Sequence, residues 1–185
     1  MGWATAIGLD EAGINDDRDM LQEMRMVLRA HRVPGMVDEE VPSTGQVLRM
    51  ATAGGAATTP YGSHIGTIAV GKAAYLVLID WGKLAHPYLD LETSTLDAVI
   101  QRAKTDGVDL VMVAGEVVYE GGRFTRVDRD AALRELHDSL QRALADDESE
   151  RRALSKALLP HVRRFYARYF DPETHLPYYH PNSRV

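Results

Sequence analysis

Asp10 closes a run of apolar and small residues, Ala6-Ile7-Gly8-Leu9. A carboxylate at the end of a buried segment is costly unless it is hydrogen-bonded, paired or bound to a metal. Two roles fit that place. One is a strand-end side chain that caps the next helix. The other is a working group at a strand C-terminus, where the functional side chains of a β/α barrel sit. Spacing alone leaves both open. Asn15-Asp16-Asp17-Arg18-Asp19 follows as an acidic cluster. It lacks the glycine and closing glutamate of a calcium-binding EF-hand loop, so helix capping is the role its residue types support.

His31, His64, His86, His137, His161, His175 and His180 are the other candidates for metal or proton chemistry. They form no His-x-His pair and no His-Glu-x-x-His helix motif. A hydrolytic zinc site needs about three protein ligands and an open position. A Gly-x-Ser-x-Gly elbow and a Walker loop are both absent. There is no cysteine, which removes thiolate nucleophiles, thiolate metal sites and disulfides. Gly54-Gly55 reads as a place where another backbone approaches closely, or as a helix end. Gly121-Gly122 reads as a turn. The residues alone display no complete catalytic apparatus.

The elements that would position these groups follow from periodicity. Residues 3–9 read as a strand buried on both faces, since apolar residues continue without alternation. Asn15, Asp16 and Asp17 offer an N-cap and first-turn acids for a helix carrying Met20, Leu21, Met24, Val27 and Leu28, ending near His31. Ser43 and Gln46 have capping-box spacing before a second helix. Short strands are predicted at 65–68, 74–79, 96–100, 108–113 and 116–119, with a hairpin turn at Ala114-Gly115. Asp128 begins a helix with Leu133, Leu136, Leu140 and Leu144. Asp146–Glu150 reads as an acidic break. Leu154, Leu158, Val162, Phe165 and Tyr169 form a further helical stripe, kinked at Pro160 and stopped at Asp171-Pro172. The final residues read as a mobile or docked tail.

The bulk numbers narrow the partners. The chain has 185 residues, 27 acidic against 21 basic, for a net charge of −6. That balance disfavours nucleic acid, whose phosphates require a basic face. No apolar run approaches the ~18 residues of a membrane span. Met1-Gly2-Trp3-Ala4 lacks the basic stretch of a secretory signal. A cytoplasmic protein is the expectation.

Three stretches resemble the C-terminal part of the metal-dependent amidohydrolases, in the branch of cytosine-deaminase-like, chlorohydrolase and methylthioadenosine deaminase enzymes. "IGLDEAGINDDRDMLQEMR" is similar to the final barrel strand and following helix. "VLRMATAGGAATTPYGSHIGTIAVGKAAYLVLID" resembles the segment "ATxGGA … iGsLepGkxADLvliD". "VDLVMVAGEVVYEGGRF" resembles the closing hairpin. The resemblance covers roughly residues 3–126. It departs at Ile14, where serine is frequent, and at Ala69, Tyr75 and Ala114, where Glu, Asp and Asn or Asp are usual.

The resemblance implies an α/β plus β fold class. The last β/α unit of a (β/α)8 barrel would occupy 1–64 and part of a small composite β-sandwich 65–127. C-terminal helices would take 128–170 and a tail 171–185. It implies that Asp10 binds a divalent metal, zinc or iron, and relays a proton from metal-activated water to the leaving group. The reaction implied is hydrolysis of a C–N or C–Cl bond on an amino-substituted ring. The His-x-His, the other barrel histidines and seven barrel strands are not in this sequence, and a (β/α)8 barrel alone takes about 250 residues. The expected partners are therefore a small-molecule substrate, the missing N-terminal barrel segment or a partner chain, and further copies of the chain. Nucleic acid and membrane are not expected. A non-catalytic assembly module derived from an amidohydrolase is the alternative. An enzyme of another class using the scattered histidines has no readable nucleophile–base arrangement.

Overall fold

The computed structural model of the chain describes residues 5–10, 17–32, 35–37 and 41–169. They form two compact units, 1–129 and 130–185.

The first unit opens with helix α1, Met20–Ala30, capped by Asp19. The Asp19 carboxylate accepts from the N–H groups of Leu21 (2.9 Å) and Gln22 (3.3 Å). The cap thus falls later than expected. Asp17 instead accepts from the Asp19 N–H, and Asn15 and Asp16 lie outside the described residues. Helix α2, Thr44–Arg49, carries the capping box that its spacing predicts. Ser43 Oγ accepts from the Gln46 N–H at 3.3 Å, and Gln46 Oε1 accepts from the Ser43 N–H at 2.8 Å. A π-helical turn, Met50–Gly54, continues into the short α3, Gly55–Ala57. Such turns often mark places where a helix has been adapted to a neighbour. Here the neighbour is the backbone of Thr5, against which Gly54 packs.

Two expected strands are corrected. Residues 65–68 form bends rather than a strand. Gly66 has φ +87°, and a Cβ there would lie 2.6 Å from that of Ala56, so the chain turns tightly on α3. Residues 96–100 belong to helix α5, Thr95–Arg102. Leu96, Val99, Ile100 and Ala103 recur at helical spacing, and a short apolar run does not by its period distinguish helix from strand. Ser94 decides it. Its hydroxyl accepts from the Asp97 N–H at 3.1 Å, closing the N-terminus.

Asp97 also ties α5 to α2. Its carboxylate accepts from Ser94 Oγ at 2.6 Å and Thr44 Oγ1 at 2.8 Å. These two bonds hold its pKa below the ordinary 3.8, the Ser94 bond foremost. A folded pKa below the unfolded one stabilises the fold above the unfolded value. The contribution is therefore complete near neutral pH and fades as pH drops below 3.8 through the folded pKa. Asp97→Asn is expected to lose that acid-side slope. Urea melts of both chains at pH 6 and pH 3 would converge at the lower pH.

The sheet is antiparallel with order β1-β2-β3-β4: Leu76–Ile79, Val108–Val113, Glu116–Glu120 and Arg123–Phe124. The hairpin predicted at 108–119 is present. Ala114 and Gly115 both take positive φ, +52° and +87°, as a two-residue hairpin turn with right-handed strand twist requires. β4 goes beyond the expectation. It follows the Gly121-Gly122 turn and sets Phe124 against Tyr119, ring centroids 5.2 Å apart. Helix α4, Trp81–Ala85, capped by Asp80, fills the connection after β1.

The buried core is helical. Met24, Leu28, Val47 and Ile100 form one cluster, and Leu84, Ala98 and Ala103 another. No residue of the four strands is buried. The sheet's apolar side chains, Val77 and Leu78 among them, remain half-exposed or exposed.

The second unit consists of helices α6, Arg129–Leu140, which begins at the unit boundary, and α7, Asp146–Tyr166. The acidic break expected at 146–150 is a correction: these residues are the first turn of α7. Carboxylates are favourable there against the helix dipole. Pro160 lies inside α7 without ending it. The tail expected at 171–185 lies outside the described residues. No described helix is long and apolar enough to cross a membrane.

Candidate functional site

Asp10 follows residues 5–9, which make no ladder. Residues 3–9 are expected as a strand buried on both faces, and the described part corrects that. Ala6 and Gly8 are exposed, Ile7 and Leu9 half-buried. A strand requires a partner, and no strand of the sheet lies beside this segment. Two contacts hold it instead. The Ile7 N–H donates to the Met50 carbonyl at 3.3 Å, and Ile7 packs on the core of α1, α2 and α5. The second contact is that of Thr5 with Gly54.

Asp10 itself is exposed, with φ +49°. This is the left-handed region, which Asp and Asn enter more readily than other non-glycine residues. Among the described residues, no group of three His, Asp or Glu side chains is placed to hold a metal ion. The described residues therefore assemble no metal centre around Asp10. The histidines are dispersed. His31 Nδ1 contacts the Val27 carbonyl at 2.8 Å, His64 Nδ1 lies 2.8 Å from Ser63 Oγ, and His137 and His161 sit on α6 and α7. His175 and His180 lie outside the described residues.

Two clefts flank this arrangement. One, of about 590 Å³, runs between the 5–8 segment, α1 and the start of α2, with Glu23 and His31 on its wall. The other, of about 760 Å³, is basic and lies among α1, α4 and α5. Arg25 donates to the Ala103 carbonyl, Lys83 Nζ to that of Asp106 (2.5 Å) and Arg102 to that of Tyr88 (2.7 Å). Ala103 is the C-cap of α5 and Asp106 lies in a 3₁₀ turn, so two of these cations satisfy carbonyls at helix ends, while Arg102 holds the loop carbonyl of Tyr88. Nothing in the local sequence marks the Arg25 bond, because its acceptor is 78 residues away.

The sequence profile of the amidohydrolase family matches residues 2–118. A 5-methylthioadenosine/S-adenosylhomocysteine deaminase from Desulfovibrio desulfuricans is 38% identical over 135 residues, covering 73% of this chain and 30% of that protein. An adenosine deaminase from Xanthomonas campestris, solved with bound zinc, superposes with a TM-score of 0.64 at 31% identity. That match covers 73% of this chain and 30% of the other. A mutant atrazine chlorohydrolase from Arthrobacter aurescens, complexed with zinc and atraton, gives a TM-score of 0.55 at 25% identity, covering 64% of this chain and 25% of its own. The chain thus spans about 30% of the length of the curated relatives it matches. With that profile running through the Asp10 segment, α1, α2, β1, β2 and into β3, the chain belongs to the amidohydrolase family.

Proposed function

We propose that this chain is the C-terminal portion of a metal-dependent amidohydrolase acting on an amino-substituted ring, with hydrolytic deamination as its reaction. The observation that carries the reading is the 38% identity to a deaminase of methylthioadenosine and S-adenosylhomocysteine across 135 residues. In this reading residues 1–64 are the end of the barrel, Asp10 closing its last strand. Residues 65–127 belong to the small β-sandwich and 128–170 to C-terminal helices. The chlorohydrolase likeness is weaker, at 25% identity, and makes C–Cl hydrolysis the second reading.

A divalent metal, zinc or iron, supplies when bound a water acidic enough to react near neutral pH. Asp10 would contribute one carboxylate to hold it, with the other ligands coming from outside the described residues. The same carboxylate accepts a proton as water adds to the ring carbon bearing the amino group, and returns it to nitrogen as the C–N bond breaks. Ammonia leaves and the ring carbon becomes a carbonyl. Exposure of Asp10 in this chain leaves its face open to the remaining ligands, which the longer protein or a partner chain would bring.

The test begins with the DNA upstream of the Met1 codon. An open frame encoding a His-x-His and further barrel histidines is expected. The protein expressed from that frame should release ammonia from adenosine-type nucleosides and lose that activity to a chelator. A stop codon directly upstream, together with chelator-indifferent behaviour of the 185-residue chain beside any co-encoded partner, would favour the non-catalytic module instead.

A further inference from the structure

Helix α7 lies outside the residues that match the family profile. None of its residues is buried. At about 3.6 residues per turn, Leu154, Leu158, Leu159, Val162, Phe165 and Tyr166 fall within one arc of about 140°. All six are between 46% and 64% exposed. Over residues 152–166 only Ser155 interrupts the arc. An apolar face of this width is one that a helix buries against something.

The charge of the same stretch has one sign. Residues 151–169 hold six Lys or Arg and no Asp or Glu, in a chain of net charge −6, which leaves −12 on the remainder. Arg151 and Arg152 are engaged by acids of the first turn, Asp147 (3.1 Å) and Glu148 (2.7 Å). Among the described residues, Lys156, Arg163, Arg164 and Arg168 form no ion pair. Lys156, Arg163 and Arg164 lie on the circumference outside the apolar arc, and all three are exposed.

What covers this face must offer apolar depth and negative charge together. A nucleic acid would meet the cations and leave the arc in water. An anionic lipid surface offers both. Its acyl chains take the arc, and its headgroup phosphates take the cations, which long Lys and Arg side chains reach from an embedded helix. Tyr166 ends the helix and Tyr169 follows it, the residue type of a membrane–water interface. No described helix is long and apolar enough to cross a membrane, and a helix lying in the interface plane needs no span. We propose that α7 docks in plane on a bilayer surface rich in anionic lipid, with the arc turned toward the acyl chains and Lys156, Arg163 and Arg164 at the headgroups.

The test uses the whole 185-residue chain. It should co-sediment at low salt with vesicles of mixed phosphatidylglycerol and phosphatidylcholine, and not with phosphatidylcholine alone. Raising the salt should release it. Arg163→Gln combined with Arg164→Gln should lower the partition coefficient about tenfold or more, since each cation at an anionic surface adds to the attraction. Leu158→Gln combined with Phe165→Gln leaves every charge in place and should lower it by a similar factor. All four positions are exposed, and far-UV circular dichroism without vesicles should show unchanged helix content in both variants. Failure to bind the anionic vesicles, equal binding to phosphatidylcholine, or either double variant binding as the parent does would overturn the proposal. Tighter binding to RNA or to polyglutamate than to the vesicles would assign the face to another class of partner and overturn it as well.

Discussion

Asp10→Asn in the complete enzyme is expected to lower kcat/KM by about 10²–10⁴-fold, the range typical of removing a positioned acid–base group. It is expected to leave stability within about 0.5 kcal/mol of the parent, as surface changes away from special features do. The separation of the two effects follows from the geometry. Asp10 is exposed, so the fold loses no buried pair. Its φ of +49° is one that asparagine also tolerates, so the substitution adds no backbone strain. What changes is the charge. A carboxamide is a poor proton acceptor and a weaker partner for a divalent cation. Metal content should therefore fall alongside turnover, and both are measured on one preparation. Full turnover by Asp10→Asn would remove Asp10 from the chemistry, since the cap of α1 is Asp19. Asp10→Ala is a poorer probe, since alanine in the left-handed region brings a backbone penalty of its own. The same substitution in the 185-residue chain alone should leave its thermal midpoint unchanged.

Some of this architecture was legible in the chain and some was not, and the division follows the range of the interactions involved. The Ser43/Gln46 capping box and the Ala114-Gly115 turn are written within four residues, and both are present. Ala114 is instructive. It takes φ +52°, a conformation better suited to Gly, Asn or Asp, so the turn forms around a residue poorly suited to it. Residues 96–100 form a helix rather than the expected strand because a five-residue stretch with four apolar residues fits either period, and Ser94 outweighs β-branched Val99 and Ile100. The fate of residues 3–9 was not local at all. A strand needs a partner, and among the described residues no strand lies beside this segment. The family resemblance implies a role for Asp10 that spacing left open, and the described residues hold no group of three His, Asp or Glu side chains placed for a metal ion. The basic cleft was invisible because its arginines bind carbonyls distant in sequence.

Gly54-Gly55 was read as a place where another backbone comes close, and the two glycines offer a paired experiment. A Cβ on Gly54 would lie 2.3 Å from the Thr5 carbonyl oxygen and 3.2 Å from that of Arg49. Both neighbours are backbone, so neither yields by rotating a side chain. A Cβ on Gly55 meets only the Met50 carbonyl oxygen, at 3.9 Å, an ordinary contact. Alanine in a helix is favoured over glycine by up to about 1 kcal/mol. At Gly55 that preference stands unopposed, and Gly55→Ala is expected to be neutral or to raise the thermal midpoint. At Gly54 overpacking opposes it by about 1–3 kcal/mol or more, so Gly54→Ala is expected to destabilise. The extra methyl can be accommodated only by moving the segment of residues 5–10 off the π-helical turn. That breaks the Ile7–Met50 hydrogen bond and displaces Asp10 with it. In the complete enzyme Gly54→Ala should therefore lower kcat as well as stability, whereas Gly55→Ala should lower neither. Equal melting points for the two alanine variants would show that the Thr5 segment does not press on Gly54, and with it would go the account of what holds Asp10 in place.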